Sequence, residues 1–431
     1  GNKVTVNLFG QELNSESYAI CMADMMIKGQ QVENIKLGNT LSNDQLAHER
    51  FKYMLANPPF GVDWKASQRV VNDEHKVKGF EGRFGPGLPR VSDGSLLFLL
   101  HLVSKMRDKR EGGSRIGIVL NGSPLFTGSA GSGESEIRRY LLQNDLVEAI
   151  VALPTDMFFN TGISTYIWIL SNDKKPERKG KLQLIDGSEA FAKMRKSLGS
   201  KRKYLTEENI NELVRLYGAM EETKNSKVFP NEAFGYRRIT IERPLRLNFQ
   251  ASEERVARLD DEKALQKLKA NDYNQLKQAI QQIDANTLFT NRDDFTKALN
   301  AQFKAGDIKL AAAQLKAVLN ALSERDSDAD VCTDKKGNVE ADSGLRDYEN
   351  VPLTEDIYEY FEREVKPHVP DAWIDESKRD EQDGKVGIVG FEIPFNRHFY
   401  VFEPPRPLKE IDADLKQCTD KIKQMIEELS A

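Results

Sequence analysis

Apolar and polar positions alternate with two different periods over the first 200 residues. Short apolar runs predict strands at 4–10, 35–37, 51–56, 115–120, 146–153 and 164–171, and helical periodicity predicts helices at 15–28, 95–110 and 134–143. Strands that alternate with helices are typical of an α/β sheet that is mostly parallel, with helices on both faces. About a dozen residues without helical pattern join the last two strands, so we expect these two to form an antiparallel edge.

The pattern changes along the rest of the chain. Residues 61–94 are rich in Gly and Pro, which predicts a long loop, and loops of this length inside a compact domain usually carry function. Ala, Leu, Gln and Lys dominate residues 206–224 and 251–325, which predicts a helical region. Residues 326–350 are acidic and predict a mobile linker or a surface loop.

The last part of the chain ends in an amphipathic helix. We expect a helix at 354–366 and an extended segment at 391–402, after which prolines break the chain. Apolar residues then recur in steps of four and three, which is an a/d heptad seam. The seam consists of Ile411, Leu415, Cys418, Ile422, Met425 and Leu429. Such a helix needs a partner surface, which is either its own domain or another protein.

These shifts divide the chain into three predicted parts, namely residues 1–200, a helical region with an acidic linker at 201–350, and a C-terminal segment at 351–431. Residues 1–250 hold 36 Lys and Arg against 29 Asp and Glu, a net +7, whereas residues 251–431 hold 26 against 38, a net −12. This asymmetry indicates either separate roles or ordinary surface variation. The net charge of −5 argues against a chain that grips DNA by itself.

Composition excludes several classes of protein. The chain contains no run of about 18 apolar residues, which argues against a membrane span, and we see no secretory signal at its start. Cys21, Cys332 and Cys418 lie far apart and form neither a metal-binding spacing nor a disulfide framework. The five histidines have no paired spacing, so we expect no bound metal. These features are typical of a cytoplasmic protein.

The tetrapeptide Asn57-Pro58-Pro59-Phe60 follows a predicted strand, and ligands bind at the carboxyl ends of strands in open α/β sheets. An aromatic exocyclic amine is a poor nucleophile because its lone pair is delocalised into the ring. The Asn57 side-chain oxygen and the Pro58 carbonyl can accept hydrogen bonds from both amine hydrogens, which directs the lone pair at an electrophile. The prolines keep this backbone stiff, and Phe60 can stack on a base turned out of a duplex. Outside such a sheet the same string would be only a turn.

Asn-Pro-Pro-Phe after a hydrophobic strand resembles the signature of adenine-N6 and related amino-methyltransferases, which use S-adenosylmethionine. Other stretches resemble the modification (methylase) subunit of type I restriction–modification systems. They lie at 8–12, 38–41, 93–98, 115–121, 137–142, 153–154, 159–163, 243–246 and 392–408. The resemblance implies a Rossmann-like S-adenosylmethionine-dependent methyltransferase sheet, mostly parallel with an antiparallel edge, followed by a largely helical C-terminal region.

The resemblance also implies roles for single residues. The tetrapeptide 57–60 corresponds to the catalytic loop. Glu12 corresponds to the acidic residue that holds the ribose hydroxyls of the cofactor. Asn39 and Thr40 fall where the family contacts the cofactor adenine, although relatives commonly have Asp at the position of Asn39.

A second aromatic residue of the family lies near the flipped base. Phe158 and Phe159 fall at this position, and we assign base stacking to Phe60 together with Phe159. Without the family resemblance, aromatic residues such as these would more often belong to the hydrophobic core.

The family's Gly-rich loop, the strand before it and a helical N-terminal domain do not occur ahead of Glu12. Residues 128–133 are Gly-rich and precede a helix, so they could hold an anion, but they follow the wrong strand and are more typical of a flexible surface loop. We therefore expect this sequence to be a C-terminal fragment, or to omit upstream residues, and to bind S-adenosylmethionine poorly by itself.

The leading interpretation is transfer of a methyl group from S-adenosylmethionine to the N6 amine of adenine in DNA. The resemblance implies three protein partners: a specificity subunit that docks on the helix at 408–430, a second modification subunit and a restriction subunit. One alternative is methylation of another planar nitrogen, either a glutamine amide or a guanine amine, but the long acidic helical part argues against it. A second alternative is a non-catalytic docking fragment.

Overall fold

The computed structural model describes the backbone of residues 6–402 and 404–430, with side chains as far as residue 428. The first residues of the strand predicted at 4–10 and the Leu429 side chain of the C-terminal seam lie outside the described residues. The described strand runs later than predicted, over Gly10–Glu12. Among the described residues, its strand partner is the short strand Ile35–Leu37, which offers three residues for pairing.

Strands and helices alternate in the first half of the chain, and helices are more frequent in the second. The strands are β1 (Gly10–Glu12), β2 (Ile35–Leu37), β3 (Tyr53–Ala56), β4 (Arg115–Asn121), β5 (Val147–Leu153), β6 (Thr165–Ser171), β7 (Lys181–Asp186), β8 (Ala192–Leu198), β9 (Lys201–Tyr204), β10 (Ser226–Pro230), β11 (Gly235–Glu242), β12 (Leu247–Phe249), β13 (Ser323–Arg325), β14 (Asp347–Pro352), β15 (Trp373–Ile374) and β16 (Ile388–Phe391). The helices are α1 (Ser15–Ile27), α2 (Gln68–Lys78), α3 (Ser95–Ser104), α4 (Ser123–Phe126), α5 (Gly133–Gln143), α6 (Glu207–Ala219), α7 (Glu253–Ala257), α8 (Ala270–Ile280), α9 (Arg292–Ala305), α10 (Ala312–Ala321), α11 (Ile357–Tyr360), α12 (Phe395–Phe399) and α13 (Leu408–Ser430).

The main sheet has six strands in the order β10–β7–β5–β6–β4–β3. β3 pairs with β4 and β5 pairs with β7 in parallel, whereas β6 is antiparallel to both β4 and β5, and β10 is antiparallel to β7. Four of the six strands therefore run in one direction. β1 and β2 form a separate parallel pair. This is the expected mostly parallel α/β sheet, and β10 is its antiparallel edge.

The predicted antiparallel pairing of the strands at 146–153 and 164–171 is confirmed, but these strands lie inside the sheet. The sheet continues beyond them through β7 and β10, which the apolar pattern did not reveal. Gln183 interrupts the apolar run of β7, yet its side chain is buried. It can be buried because its amide donates to the Leu216 carbonyl and to the Ser226 hydroxyl, so no hydrogen bond is lost.

The core of this half lies between the sheet and the helices α3 and α5. Alternate residues of β4 are buried, and every residue of β5 is buried, as a central strand requires. The packed side chains include Leu97, Leu100, Ile118, Ile137 and Trp168, each at most 1% exposed. This core fixes the carboxyl ends of the strands in space.

Three expectations for residues 51–110 are corrected. β3 is shorter than predicted and mostly exposed, since Tyr53 is 71% and Leu55 89% exposed and only Met54 is buried. β3 is an edge strand, and only one of its faces packs on the core. The predicted loop at 61–94 contains α2, which is anchored by the buried Val71. α3 ends at Ser104, six residues before the predicted end at 110.

The second half forms two further packed units. Helices α7 to α10 surround their own apolar cluster, in which the rings of Phe249 and Phe295 stack with centroids 5.2 Å apart. β11 pairs with β14, β15 and β16 in antiparallel fashion. The Arg139 guanidinium of α5 forms a buried ion pair with Asp380 at 2.9 Å, which ties this sheet to the first half. The predicted boundary at residue 200 falls in the turn between β8 and β9, and the domain boundaries remain predictions.

The acidic segment predicted as a linker or loop at 326–350 is a loop as far as residue 346, after which β14 begins at Asp347. Cys332 and Asp342 are each 2% exposed, and Asp342 accepts a hydrogen bond from Arg325 over 2.7 Å. The segment expected to be extended at 391–402 contains α12 instead. Phe395, the first residue of α12, is buried against the ring of Tyr166, with centroids 5.2 Å apart. The helical turn is therefore found where the chain packs on the sheet.

The C-terminal amphipathic helix is confirmed as α13. Its described side chains are exposed, including the seam residues Leu415 (61%) and Ile422 (52%). The apolar seam is therefore not buried in the core of this chain. In the described part of the chain, no helix is both long enough and apolar enough to cross a membrane.

Candidate active site

The tetrapeptide 57–60 leaves the sheet at the carboxyl end of β3. β3 is held in register by β4, with Ala56 opposite Ile118. Pro58 is buried and Phe60 is half-buried, while Asn57 is exposed. The Asn57 side-chain amide makes no hydrogen bond with any described residue. Its oxygen and nitrogen are therefore available to a ligand at this edge of the sheet.

The chain after the tetrapeptide is fastened to the segment before α3. The Gly94 amide donates to the Val62 carbonyl over 3.0 Å, and the Trp64 amide donates to the Val91 carbonyl over 3.1 Å. The buried Trp64 indole also donates to the Arg90 carbonyl over 3.0 Å. These three hydrogen bonds join residues 62–64 to residues 90–94. The conformation of the chain after the tetrapeptide therefore does not depend on the prolines alone.

The ring of Phe60 meets the ring of Phe158 edge to face, with centroids 5.6 Å apart and an interplanar angle of 76°. Phe159, the predicted stacking residue, lies one position further and is 61% exposed. The Lys201 ammonium lies 5.3 Å from the centroid of the Phe159 ring. The structure thus brings Phe158 to Phe60 and places Phe159 on the outer side, and the stacking role of Phe159 remains a prediction.

The predicted ribose ligand Glu12 ends β1 beside the end of β2. The Gly38 amide donates to the Glu12 carbonyl over 2.9 Å, so the two strand ends are adjacent. The half-buried Glu12 accepts the Asn14 amide at Oε1 over 2.7 Å, while Oε2 has no hydrogen-bond partner among the described residues. A carboxylate with an open oxygen fits a pair of ribose hydroxyls, which are both donors.

The two other predicted cofactor ligands follow β2. Both polar atoms of the Asn39 side chain are engaged, because Oδ1 accepts the Leu41 amide over 2.9 Å and Nδ2 donates to the Ser67 hydroxyl over 3.2 Å. The Thr40 hydroxyl has no partner among the described residues. The Asn39 side chain thus ties the loop after β2 to the turn before α2, and Thr40 is the better candidate for contact with a ligand.

Arg83 connects the cofactor-side loop to α2. Its guanidinium donates to the carbonyls of Thr40 and Leu41 over 2.7 and 2.9 Å, and it pairs with Glu74 at 2.6 Å. Burial alone would raise the pKa of Glu74, but the hydrogen bonds and charge of Arg83 outweigh burial and hold this pKa below its ordinary value. The ion pair therefore fixes the loop that carries Asn39 and Thr40.

His101 completes this supporting network. Burial is the main cause that lowers its pKa from 6.5 to about 4, and the positive charge of Arg83 acts in the same direction while Asp44 opposes it. His101 is therefore neutral at pH 7, and its Nδ1 lies 3.2 Å from a guanidinium nitrogen of Arg83. The neighbouring Asp44 and Lys105 form an ion pair at 2.6 Å.

The Gly-rich segment at 128–133 is held by side-chain hydrogen bonds at both ends. The Arg138 guanidinium donates to the carbonyls of Thr127 and Gly128, and the Ser132 hydroxyl accepts the Ser135 amide at the start of α5. A Cβ atom at Gly133 would lie 1.7 Å from the Leu88 carbonyl oxygen. The segment is therefore a close-packed contact between α5 and the chain before α3.

The three cysteines occupy unrelated places. Cys21 is half-buried, Cys332 is buried and Cys418 is exposed, and each is a free thiol. Across residues 6–402 and 404–428, no group of three or more His, Cys, Asp and Glu side chains has an arrangement that could hold a metal ion.

A mixed α/β sheet with an Asn-Pro-Pro-Phe loop and an aromatic pair at its carboxyl edge defines an amino-methyltransferase type of domain. The family model described as N-6 DNA Methylase matches residues 1–235, which is more than half of the chain. The chain therefore belongs to the N-6 DNA methylase family.

Methylase subunits of type I restriction enzymes are similar to about half of the chain. The type I restriction enzyme MjaIX methylase subunit of Methanocaldococcus jannaschii is 26% identical over 217 residues, which cover 50% of this chain and 36% of that protein. The type I restriction enzyme HindI methylase subunit of Haemophilus influenzae is 29% identical over 188 residues, which cover 43% and 39%. The chain thus spans well under half the length of these relatives. Their names confirm the resemblance to type I methylase subunits.

A solved structure also resembles this chain. The type I restriction-modification system methyltransferase subunit from Streptococcus thermophilus is 29% identical, with a TM-score of 0.44, and the match covers 53% of this chain and 45% of that one.

Sequence reasoning missed residues that support the site. Arg83 and Ser67 lie inside a segment that was predicted to be loop, and their contacts cross 43 and 28 residues of sequence. No periodic pattern carries such contacts. The basic hairpin β8–β9 was also missed, although its run of Lys and Arg is visible in the sequence.

Proposed function

We propose that this chain transfers a methyl group from S-adenosylmethionine to the N6 amine of adenine in DNA, as part of the modification subunit of a type I restriction–modification system. The observation that carries the proposal is the exposed, unbonded amide of Asn57 at the carboxyl end of β3, followed by the half-buried Phe60 against Phe158. Family membership and the names of the relatives support the same reaction.

The proposed chemistry needs little more than orientation. The Asn57 side-chain oxygen and the Pro58 carbonyl accept the two amine hydrogens of an adenine that has left the duplex, and Phe60 stacks on its ring. This geometry favours a pyramidal nitrogen whose lone pair points away from the loop. A bound S-adenosylmethionine would supply an electrophilic methyl group to this nitrogen, with its sulfur as the leaving group. The surplus proton of the methylated amine, now acidic, is lost to water.

S-adenosylmethionine supplies an electrophilic methyl group when it is bound. We assign Glu12 to its ribose hydroxyls, because the carboxylate has an open oxygen at the end of β1. Thr40, with Asn39 beside it, is assigned to the adenine side. These assignments rest on the adjacent ends of β1 and β2 and on the hydrogen bonds that Arg83 donates to the loop after β2.

The proposed assembly follows from the names of the relatives, which are subunits of type I restriction enzymes. We propose DNA as substrate, and a specificity subunit, a second modification subunit and a restriction subunit as partners. α13 is the proposed docking element for the specificity subunit, because its seam is exposed along this chain.

Two other functions remain as alternatives. The same tetrapeptide serves methylation of another planar nitrogen, a glutamine amide or a guanine amine. A chain that only docks other subunits is the non-catalytic alternative. No observation in the structure favours either of them over adenine methylation.

Mass spectrometry of nucleosides tests the proposal directly. The complete enzyme that contains this chain is incubated with S-adenosylmethionine and unmethylated duplex DNA, and the DNA is then digested to nucleosides. We expect N6-methyl-2′-deoxyadenosine as the methylated product. Methylated deoxyguanosine in this digest, or methylated glutamine in a peptide digest of a protein substrate, would replace the proposal by the first alternative. Calorimetry that finds no cofactor binding by the complete enzyme would favour the docking alternative.

A further inference from the structure

The hairpin β8–β9 concentrates positive charge. Of the 13 residues at 192–204, six are Lys or Arg and none is Asp or Glu, in a chain whose net charge is −5. The six are Lys193, Arg195, Lys196, Lys201, Arg202 and Lys203. The first three and Arg202 are exposed, and the other two are half-buried.

No carboxylate neutralises this charge. None of the six cations forms an ion pair within 4.0 Å with a described residue. In the helical region, by contrast, Arg255 and Arg258 share Glu324 at 2.6 and 2.7 Å. Six cations without neighbouring carboxylates create a positive surface potential, which attracts an anionic ligand.

The hairpin is fastened to the loop that carries the aromatic residues of the site. The Ser200 amide donates to the Phe159 carbonyl over 2.9 Å, and the Arg202 and Lys203 amides donate to the Asp156 carbonyl over 2.9 and 3.2 Å. Gly199 makes this contact possible, since its φ is 60° and a Cβ atom there would lie 2.5 Å from the Phe159 carbonyl oxygen.

Two of the cations also rest on aromatic rings. The Lys201 ammonium lies 5.3 Å from the ring centroid of Phe159, and the Lys203 ammonium lies 3.9 Å from that of Phe191. The Lys203 ammonium also donates to the Thr155 hydroxyl over 3.2 Å. These contacts orient the hairpin on the loop from Asp156 to Phe159, and Phe158 of that loop touches Phe60. The hairpin is therefore one loop away from the proposed base site.

We propose that the β8–β9 hairpin binds the phosphate backbone of DNA beside the adenine that leaves the duplex. The proposal rests on the proposed function for the identity of the base, and on the charge and attachment of the hairpin for the phosphate contact. Lys and Arg that neutralise phosphates release counterions, which makes binding fall steeply with salt. Phosphate contacts of this kind position a protein on DNA without reading its sequence.

Fluorescence anisotropy of a labelled duplex, titrated with the complete enzyme that contains this chain at several salt concentrations, tests this role. The variant Arg195→Ala/Lys196→Ala/Arg202→Ala removes three exposed cations and leaves the two ring contacts intact. We expect about tenfold weaker binding at moderate salt and a salt slope reduced by about 0.9 for each lost phosphate contact, so by about 2 to 3. The matched control Lys263→Ala/Lys267→Ala/Lys269→Ala makes the same charge change on exposed lysines before α8 and should leave both quantities unchanged.

Circular dichroism melting confirms that the variant is folded, and Arg195→Lys/Arg202→Lys should keep DNA binding because it keeps the charge. An unchanged affinity and salt slope in the triple alanine variant would overturn the proposal. A triple alanine variant that loses binding to a duplex RNA of equal length but binds DNA normally would also overturn the proposal.

The outcome is separable from that of the proposed function, because binding is measured without methylation. If the complete enzyme makes no N6-methyladenine but the hairpin variant still loses DNA affinity, the methylation proposal fails and the phosphate contact stands. If the enzyme methylates adenine and the variant binds DNA normally, the hairpin proposal alone fails.

Discussion

The ring of Phe60 meets the ring of Phe158 edge to face, with centroids 5.6 Å apart, across almost one hundred residues of sequence. This contact joins the loop after β3 to the loop after β5. A base placed against Phe60 would therefore lie between two loops that leave the same edge of the sheet, although β4 and β6 separate β3 from β5.

The first prediction concerns Asn57. Asn57→Ala in the complete enzyme should lower the rate of adenine methylation by about 10²–10³, because one positioned polar group is lost. Cofactor binding, measured by calorimetry, should stay within about twofold of the wild-type value, since Glu12 and Thr40 are untouched. Asn300→Ala, at an exposed position of α9, is the matched control and should methylate normally. A methylation rate unaffected by Asn57→Ala would remove this residue from the mechanism.

The second prediction concerns the aromatic pair. Phe60→Ala should lose about 1–3 kcal/mol of base stacking, which corresponds to about 5–150-fold weaker retention of the extrahelical base. A duplex with 2-aminopurine at the target adenine reports this as a smaller fluorescence change on binding. Phe158→Leu should have a weaker effect because it keeps apolar bulk beside Phe60. Phe80→Ala removes a 72% exposed ring elsewhere and should change nothing. Equal fluorescence in all variants would contradict stacking on Phe60.

The third prediction concerns α13. Leu415→Asp together with Ile422→Asp should abolish co-purification with the specificity subunit, because two carboxylates would enter the apolar seam. The melting temperature of the chain should not fall, since these side chains are 61% and 52% exposed. DNA-targeted methylation by the assembly should be lost along with docking.

A matched control for α13 carries the same charge change on its other face. Gln417 and Gln424 each lie outside the seam at equivalent heptad positions, so Gln417→Asp/Gln424→Asp should keep the subunit bound. If the seam variant still co-purifies, the helix is not the docking element. A lower melting temperature of the seam variant alone would instead place the helix on its own domain.

The fourth prediction concerns pH and His101. Its pKa is about 4 in the folded chain and near 6.5 when exposed, so the unfolded chain takes up a proton between these values that the folded chain does not. The free energy of unfolding should therefore fall as pH drops from 6.5 to 4, by about 3 kcal/mol at most, and this contribution stays lost below pH 4. Denaturant titrations of His101→Gln should show a shallower fall.

Two comparisons sharpen the pH experiment. Burial also lowers the pKa of His398, so part of the pH dependence should survive in His101→Gln. Asn300→Ala, the exposed and uncharged control of the first prediction, should leave the wild-type slope. If His101→Gln and wild type lose stability in parallel between pH 6.5 and 4.5, His101 is not the buried neutral group that supports Arg83.

Local features of the sequence were sufficient for most elements of the sheet. The strands at 115–120, 146–153 and 164–171 and the helix at 134–143 are close to β4, β5, β6 and α5, because an apolar run or an amphipathic period is contained in the residues themselves. The helix α13 is confirmed for the same reason. The prediction failed where burial depended on a distant partner, as for Gln183 in β7 and Phe395 in α12.

The sequence by itself determined the α/β class and the family. It also predicted a chemistry for Asn57-Pro58-Pro59-Phe60, because backbone stiffness and hydrogen-bonding capacity belong to the residues of a short segment. The tertiary structure decided which residues stand beside that segment. It paired Phe60 with Phe158 rather than Phe159, engaged both polar atoms of Asn39, and placed six cations one loop away from the site. These relationships depend on how strands far apart in sequence are ordered in the sheet, and no local pattern encodes that order.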